Sequence, residues 1–151
     1  MALCCSQASV YCGDVGKGTQ LKLVVNMVMS TQLSALAEGL ALGRTLGLDG
    51  AALQSVLEQG AMASPMLKLK GPCMASGDYS PNFPLKYALK DLEFALDEAR
   101  STDDEGSTAD PDDVTTMLPV SSAATALFVE ANEKGLGDLD FAAVYETLSD
   151  E

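Results

Sequence analysis

The chain has 151 residues, 47% of them hydrophobic and 21% charged, a composition that suits one globular domain with a modest core. Nine basic residues against 22 acidic ones give a net charge of -13, which argues against nucleic acid or an anionic membrane surface as a partner. There is no histidine, so a histidine triad, a histidine acid or base and most zinc sites are excluded, and no set of residues has metal-ligand spacing.

In chain order, residues 1–12 lack the basic start and sustained apolar stretch of a secretory signal. The four cysteines, Cys4, Cys5, Cys12 and Cys73, match no metal or redox spacing and are expected as free thiols of an intracellular, reducing compartment. Ser9-Val10-Tyr11-Cys12 is β-prone and runs into Gly13, which predicts a short strand ending in a turn. From about Gly18 to Leu46, apolar residues recur at helical spacing: Leu21, Val24, Val25, Val28, Leu33, Leu36, Leu40 and Leu42. Such a helix is on the order of 40 Å long, more than one small core needs, and so reads as a spine shared by several elements. Lys22, Asn26, Gln32, Glu38 and Arg44 interrupt it, as expected of a buried or half-buried helix rather than a membrane span. Gly39 and Gly43 share a face with Ala35, which predicts the close approach of another helix.

Asp49 is the predicted N-cap of a helix over Ala51 to Gln59, stopped by Gly60. Ser64-Pro65 opens a short helix expected to fade at Gly71-Pro72. After a loop, Leu85, Ala88, Leu89, Leu92, Ala95, Leu96 and Ala99 predict an amphipathic helix from Leu85 to Arg100. Residues 101–116 carry almost nothing to bury and read as a mobile acidic loop, a solvated insertion. A helix resumes after Pro119 through Lys134, with Ala123, Ala124, Leu127, Phe128 and Ala131 inward. Asp138 or Asp140 caps a final helix holding Phe141, Val144, Tyr145 and Leu148. The sum is an all-α bundle of five or six helices around one long helix, with a strand remnant in front.

The chemistry is concentrated at Gly13-x-x-Gly16-x-Gly18-x-x-x-Lys22-x-x-x-Asn26. Gly13, Gly16 and Gly18 make the backbone turn into the long helix, and Lys22 and Asn26, four apart, share a face. Lys22 sits among Leu21, Leu23, Val24 and Val25; apolar surroundings disfavour a charged ammonium and bring it toward the range useful for proton transfer. The alternative is a lysine that snorkels at a helix start beside an asparagine that meets a loop. The glycine order is the inverse of the dinucleotide fingerprint G-x-G-x-x-G, and no acidic residue ends a second strand, so an independent Rossmann site is excluded, as is a P-loop.

The glycine-lysine-asparagine string resembles the catalytic motif of the β-hydroxyacid dehydrogenase family. Phe83-Pro84-Leu85-Lys86-Tyr87-Ala88-Leu89-Lys90-Asp91-Leu92 is similar to that family's segment ending in K-D-L, and Gly135-Leu136-Gly137-Asp138-Leu139-Asp140-Phe141 has its closing pattern. Three matches in the right order cover most of residues 11–148. The resemblance implies an NAD(P)H-dependent reductase of small aldehydes or keto acids, of the glyoxylate and succinic semialdehyde class, with NADPH as cofactor and NADH as the second option. It implies Lys22 as catalytic acid, Asn26, Phe83 and Asp91 at the substrate and Lys90 at the cofactor. It also implies homo-oligomers formed through this domain. On this expectation residues 13–151 are the all-helical C-terminal domain, and residues 1–12 are a remnant of a Rossmann domain or an unstructured leader. The family's upstream domain carries the cofactor fingerprint, so this chain alone is expected to be weakly active or inactive. The competing expectation is a non-catalytic helical oligomerisation or interaction module.

Overall fold

Helix α1, Lys17–Thr45, is the axis on which the other elements pack. The computed structural model describes residues 10–101 and 117–148. Gly16, at φ +100°, lets the chain turn into α1 in a conformation costly for any residue with a Cβ, and its carbonyl accepts from the amides of Thr19 and Gln20. The expected strand before it is absent from residues 10–12, which have no regular structure. A strand needs a neighbour to satisfy its backbone, and among the described residues no chain runs beside this one.

Helix α2, Gly50–Gln59, starts at the predicted cap, where Asp49 accepts from the Ala51 amide at 3.1 Å. Helix α3, Pro65–Ser76, has Ser64 as its cap, accepting from the Leu67 amide at 3.2 Å. It does not fade at Gly71-Pro72 but continues to Ser76 and stops at Gly77. Pro72 removes one ladder bond, yet Leu67, Lys70, Gly71 and Met74 are buried on both sides of it, and that packing carries the helix through. Helix α4 is Leu85–Ser101 and helix α5 is Pro119–Glu133. The final helix expected after Asp138 or Asp140 is a 3-10 helix, Phe141–Thr147, capped by Asp140. Asp140 sets the tighter winding by accepting from the Ala142 amide through its side chain and from the Ala143 amide through its carbonyl.

The core lies on the C-terminal half of α1. Leu33, Leu36 and Leu40 pack with Leu85, Leu89 and Leu92 of α4, Phe128 of α5 and Phe141 and Val144 of the 3-10 helix. All the apolar positions predicted for α4 are buried or half-buried. On α5, Ala123 is exposed, while Ser121 and Thr125 join Ala124, Phe128 and Ala131 on the inner face. The close approach expected at Gly39 and Gly43 occurs only at Gly43, where a Cβ would lie 2.6 Å from Leu53 Cδ2. Residues 102–116, most of the predicted acidic loop, lie outside the described residues, as do Cys4 and Cys5; Cys12 and Cys73 are free thiols.

The N-terminal half of α1 behaves differently. Leu21, Val24, Val25 and Val28 are exposed, so this half stands beyond the core with α4 along one side. By length and composition α1 would suffice to cross a bilayer, but α2, α3, α4, α5 and the 3-10 helix all pack on it, as on a core helix.

Candidate active site

Lys22 and Asn26 lie one turn apart on α1 and face Asp91 on α4. Lys22 Nζ donates to both carboxylate oxygens of Asp91, at 2.8 and 2.7 Å, and Asn26 Nδ2 donates to Oδ2 at 2.6 Å. Lys90 Nζ stands 3.4 Å from Oδ1 and 5.6 Å from the centre of the Phe94 ring. The Asp91 side chain is only 3% exposed, whereas that of Lys22 is 52% exposed and that of Lys90 48%. Burial pushes the Asp91 carboxyl up, but the hydrogen bonds from Lys22 and Asn26 and the charges of Lys22 and Lys90 outweigh it and hold the group below its ordinary value. Two ammoniums on one carboxylate leave a local positive charge in a chain that is strongly acidic overall.

The apolar enclosure expected around Lys22 is not what surrounds it. Leu21, Val24 and Val25 are exposed and Leu23 is half-buried, because only one side of this half-helix is packed, and the group Lys22 touches is a carboxylate. Gly13 and Gly16 both have positive φ, at +102° and +100°; Gly18 lies in the first turn of α1.

Phe83 reaches the site from the loop before α4. Its ring stacks edge-on against Phe141, with centroids 5.5 Å apart, and its carbonyl accepts from the Phe141 amide at 2.9 Å. Together with Asn26 it borders an open cavity of about 420 Å³, walled further by Met29, Met66, Leu69 and Phe141. Lys70, from α3, also borders it.

Beneath the cavity is an ion pair the sequence reading did not find. Lys70 Nζ donates to both oxygens of Asp140 at 2.8 Å, and the two side chains are 4% and 1% exposed. Asp140 also accepts from the backbone amides of Asn82, Phe83 and Ala142, so it ties α3, the Phe83 loop and the 3-10 helix together. Burying such a pair is expensive, and only its full set of hydrogen bonds makes it tolerable. Asp140 was legible as a cap; nothing in Leu67-Lys68-Leu69-Lys70 marks Lys70 rather than Lys68 as the buried one.

All the predicted side chains therefore meet at one place, with Lys22, Asn26, Asp91 and Lys90 in a single cluster and Phe83 across the cavity that Asn26 shares. Residues 16–148 match the family described as NAD-binding of NADP-dependent 3-hydroxyisobutyrate dehydrogenase. The chain belongs to this family. It is 42% identical over 140 residues to glyoxylate/succinic semialdehyde reductase 1 of Arabidopsis thaliana, covering 93% of this chain and 44% of that protein. Its identity to the chloroplastic reductase 2 of the same plant is 40% over 142 residues, covering 94% of this chain and 36% of the relative. The structure of the 3-hydroxyisobutyrate dehydrogenase of Mycobacterium tuberculosis, solved with L-serine, superposes with a TM-score of 0.76 at 29% identity, over 93% of this chain and 46% of that one. The chain thus spans less than half the length of each of these relatives. The helical architecture is that of these hydroxyacid dehydrogenases. Among the described residues, no group of His, Cys, Asp and Glu could hold a metal ion.

Proposed function

We propose that this chain is the substrate-side, C-terminal domain of an NAD(P)H-dependent reductase of small aldehydes or keto acids. The observation that carries the reading is the convergence of Lys22 and Asn26 on buried Asp91 beside an open cavity. Asp91 holds the Lys22 ammonium in place from one side, and half of that side chain stays exposed toward incoming substrate. Lys22 gives its proton to the carbonyl oxygen as negative charge develops there, which general acids accomplish for a gain of about 10²–10⁴. Asn26 orients the substrate with an amide that does not titrate, and Phe83 walls the cavity.

The residues present fit a dinucleotide. Lys90 is a half-exposed ammonium beside the acid, in a cluster with one uncompensated positive charge, and it would pair with phosphate or another anionic group of NADPH. When bound, the nicotinamide supplies the hydride for carbonyl reduction. The exposed apolar stripe of Leu21, Val24, Val25 and Val28 supports a further domain or a second copy packed on the free half of α1. Alone, the chain offers one wall of a cleft, so its own turnover is weak.

The test is NADPH oxidation with glyoxylate or succinic semialdehyde. It is run on the chain itself and on the chain joined behind the cofactor domain of Arabidopsis reductase 1. Lys22→Ala lowers the rate about 10²-fold or more. Activity that survives the substitution would sink the assignment of Lys22 as the acid.

A further inference from the structure

Two neighbouring residues of the cavity wall, Asn82 and Phe83, take their backbone placement from one buried carboxylate. Asp140 Oδ2 accepts from the Asn82 amide at 3.0 Å and from the Phe83 amide at 3.2 Å, while Oδ1 accepts from the Ala142 amide at 3.1 Å. Beside these bonds Pro84 pairs with Asp140 in an antiparallel bridge, and the Phe83 carbonyl accepts from the Phe141 amide. Lys70 holds the carboxylate from the other side, with bonds of 2.8 Å to both oxygens. Its ammonium also stands 5.0 Å from the centre of the Phe141 ring, against which Phe83 packs edge-on. The ring and the backbone of Phe83 are thus both fixed from this pair. A buried ion pair adds little stability over apolar residues of the same volume, so stability does not account for its position under this wall.

We propose that Asp140, held by Lys70, is a positioning residue for the reduction: it sets Asn82 and Phe83 in place before substrate arrives, and so governs how tightly substrate is held. This rests on the reading of the cavity as the substrate side of the site. Asp140 and Lys70 act through the backbone of Asn82 and Phe83 and not on the reacting atoms. A wall already in place costs nothing to order, whereas two loose side chains have to be immobilised by each substrate molecule, which weakens binding about tenfold. Lys22 and Asn26 are anchored separately, on Asp91 of α4. Proton transfer therefore keeps its geometry when the wall loosens.

Asp140→Ala alone leaves the Lys70 ammonium buried and unpaired and destabilises the fold, so the test uses double variants that lack this charge. Lys70→Met/Asp140→Asn keeps a carbonyl oxygen for the Asn82 and Phe83 amides, and Lys70→Met/Asp140→Ala keeps none. In the chain joined behind the cofactor domain of Arabidopsis reductase 1, the alanine variant raises KM for succinic semialdehyde about tenfold, with kcat within about twofold of wild type. The asparagine variant restores KM. A fall in kcat at unchanged KM, or equal KM in the two double variants, would overturn the proposal. A second readout needs no turnover: Phe83 is replaced by 4-fluorophenylalanine in the chain as it stands, and its fluorine signal is recorded. The signal is single and narrow in the wild-type background and in the asparagine variant, and broadens or splits in the alanine variant. An unchanged signal in the alanine variant would equally overturn the proposal. If the joined wild type reduces no aldehyde, the reading of the Lys22 site fails, and the fluorine signal still decides whether Asp140 positions Phe83.

Discussion

Lys22 and Asp91, 69 residues apart in sequence, meet through two hydrogen bonds, and the pair is lopsided: the carboxylate is buried and the ammonium half exposed. The buried anion anchors the pair, and in the proposed function the exposed cation is the working group. Asp91→Asn keeps the shape of the anchor and removes its charge. Lys22 then loses the partner that fixes its position, and misplacement on the scale of an ångström costs about 100-fold in rate. In steady-state kinetics of the chain joined to a cofactor domain, kcat falls by about that factor while far-ultraviolet circular dichroism is unchanged. An unaltered kcat would show that Asp91 does not position the acid.

The same carboxylate makes stability depend on pH. Its folded pKa lies below the unfolded value, so its contribution is complete above about pH 4, the ordinary range for an aspartate. Below that the unfolded chain takes up a proton first, and the contribution is lost as pH falls through the lowered folded value. Urea midpoints of wild type and Asp91→Asn therefore differ most near neutrality and converge as pH falls below the ordinary aspartate range. A gap that stays constant as the solution is acidified would show that the Asp91 carboxylate is not stabilised by folding.

Lys70 and Asp140 differ in what each leaves behind. Lys70→Met puts a similar unbranched stem in the same place and leaves Asp140 with three amide donors. Asp140→Ala leaves a buried ammonium and three backbone amides without their acceptor. Breaking a buried pair from one side costs about 3–5 kcal/mol, and the orphaned amides add to the aspartate variant alone. Chemical denaturation thus ranks Asp140→Ala as the more destabilised; the reverse order would mean that the ammonium, not the carboxylate, organises this junction.

Helix α4 was legible because its apolar residues keep one period from Leu85 to Ala99 and all of that face is buried or half-buried. The period along α1 was equally clear but did not say which half would be covered, and Leu21, Val24, Val25 and Val28 turned out exposed. Sequence spacing brought Lys22 and Asn26 to one face; that they share a carboxylate depends on how α4 packs across α1, which no local pattern encodes. The strand expected at Ser9–Cys12 rested on local propensity alone, and over residues 10–12, the part of it that is described, propensity without a pairing partner does not make a strand. Pro72 is the converse case, a breaker overruled by packing on both sides of it.

Gly43 is where α2 meets the spine. A Cβ there would fall 2.6 Å from Leu53 Cδ2, too close to stand unchanged, but the obstructing atom is the far end of a flexible side chain on a helix with no buried residue. Gly43→Ala therefore sets a small displacement of Leu53 against the helix propensity that alanine gains over glycine, about 1 kcal/mol, and the two nearly cancel. Gly43→Val has a second branch that cannot be cleared the same way and a poorer helix propensity, so it pushes α2 away and costs about 1–3 kcal/mol. Truncating the obstruction separates the two effects: in the Leu53→Ala background the valine penalty shrinks while the alanine gain emerges. Urea denaturation of the four variants and the two backgrounds closes this cycle. A valine penalty that is the same with and without the Leu53 side chain would show that contact between these two positions is not what seats α2.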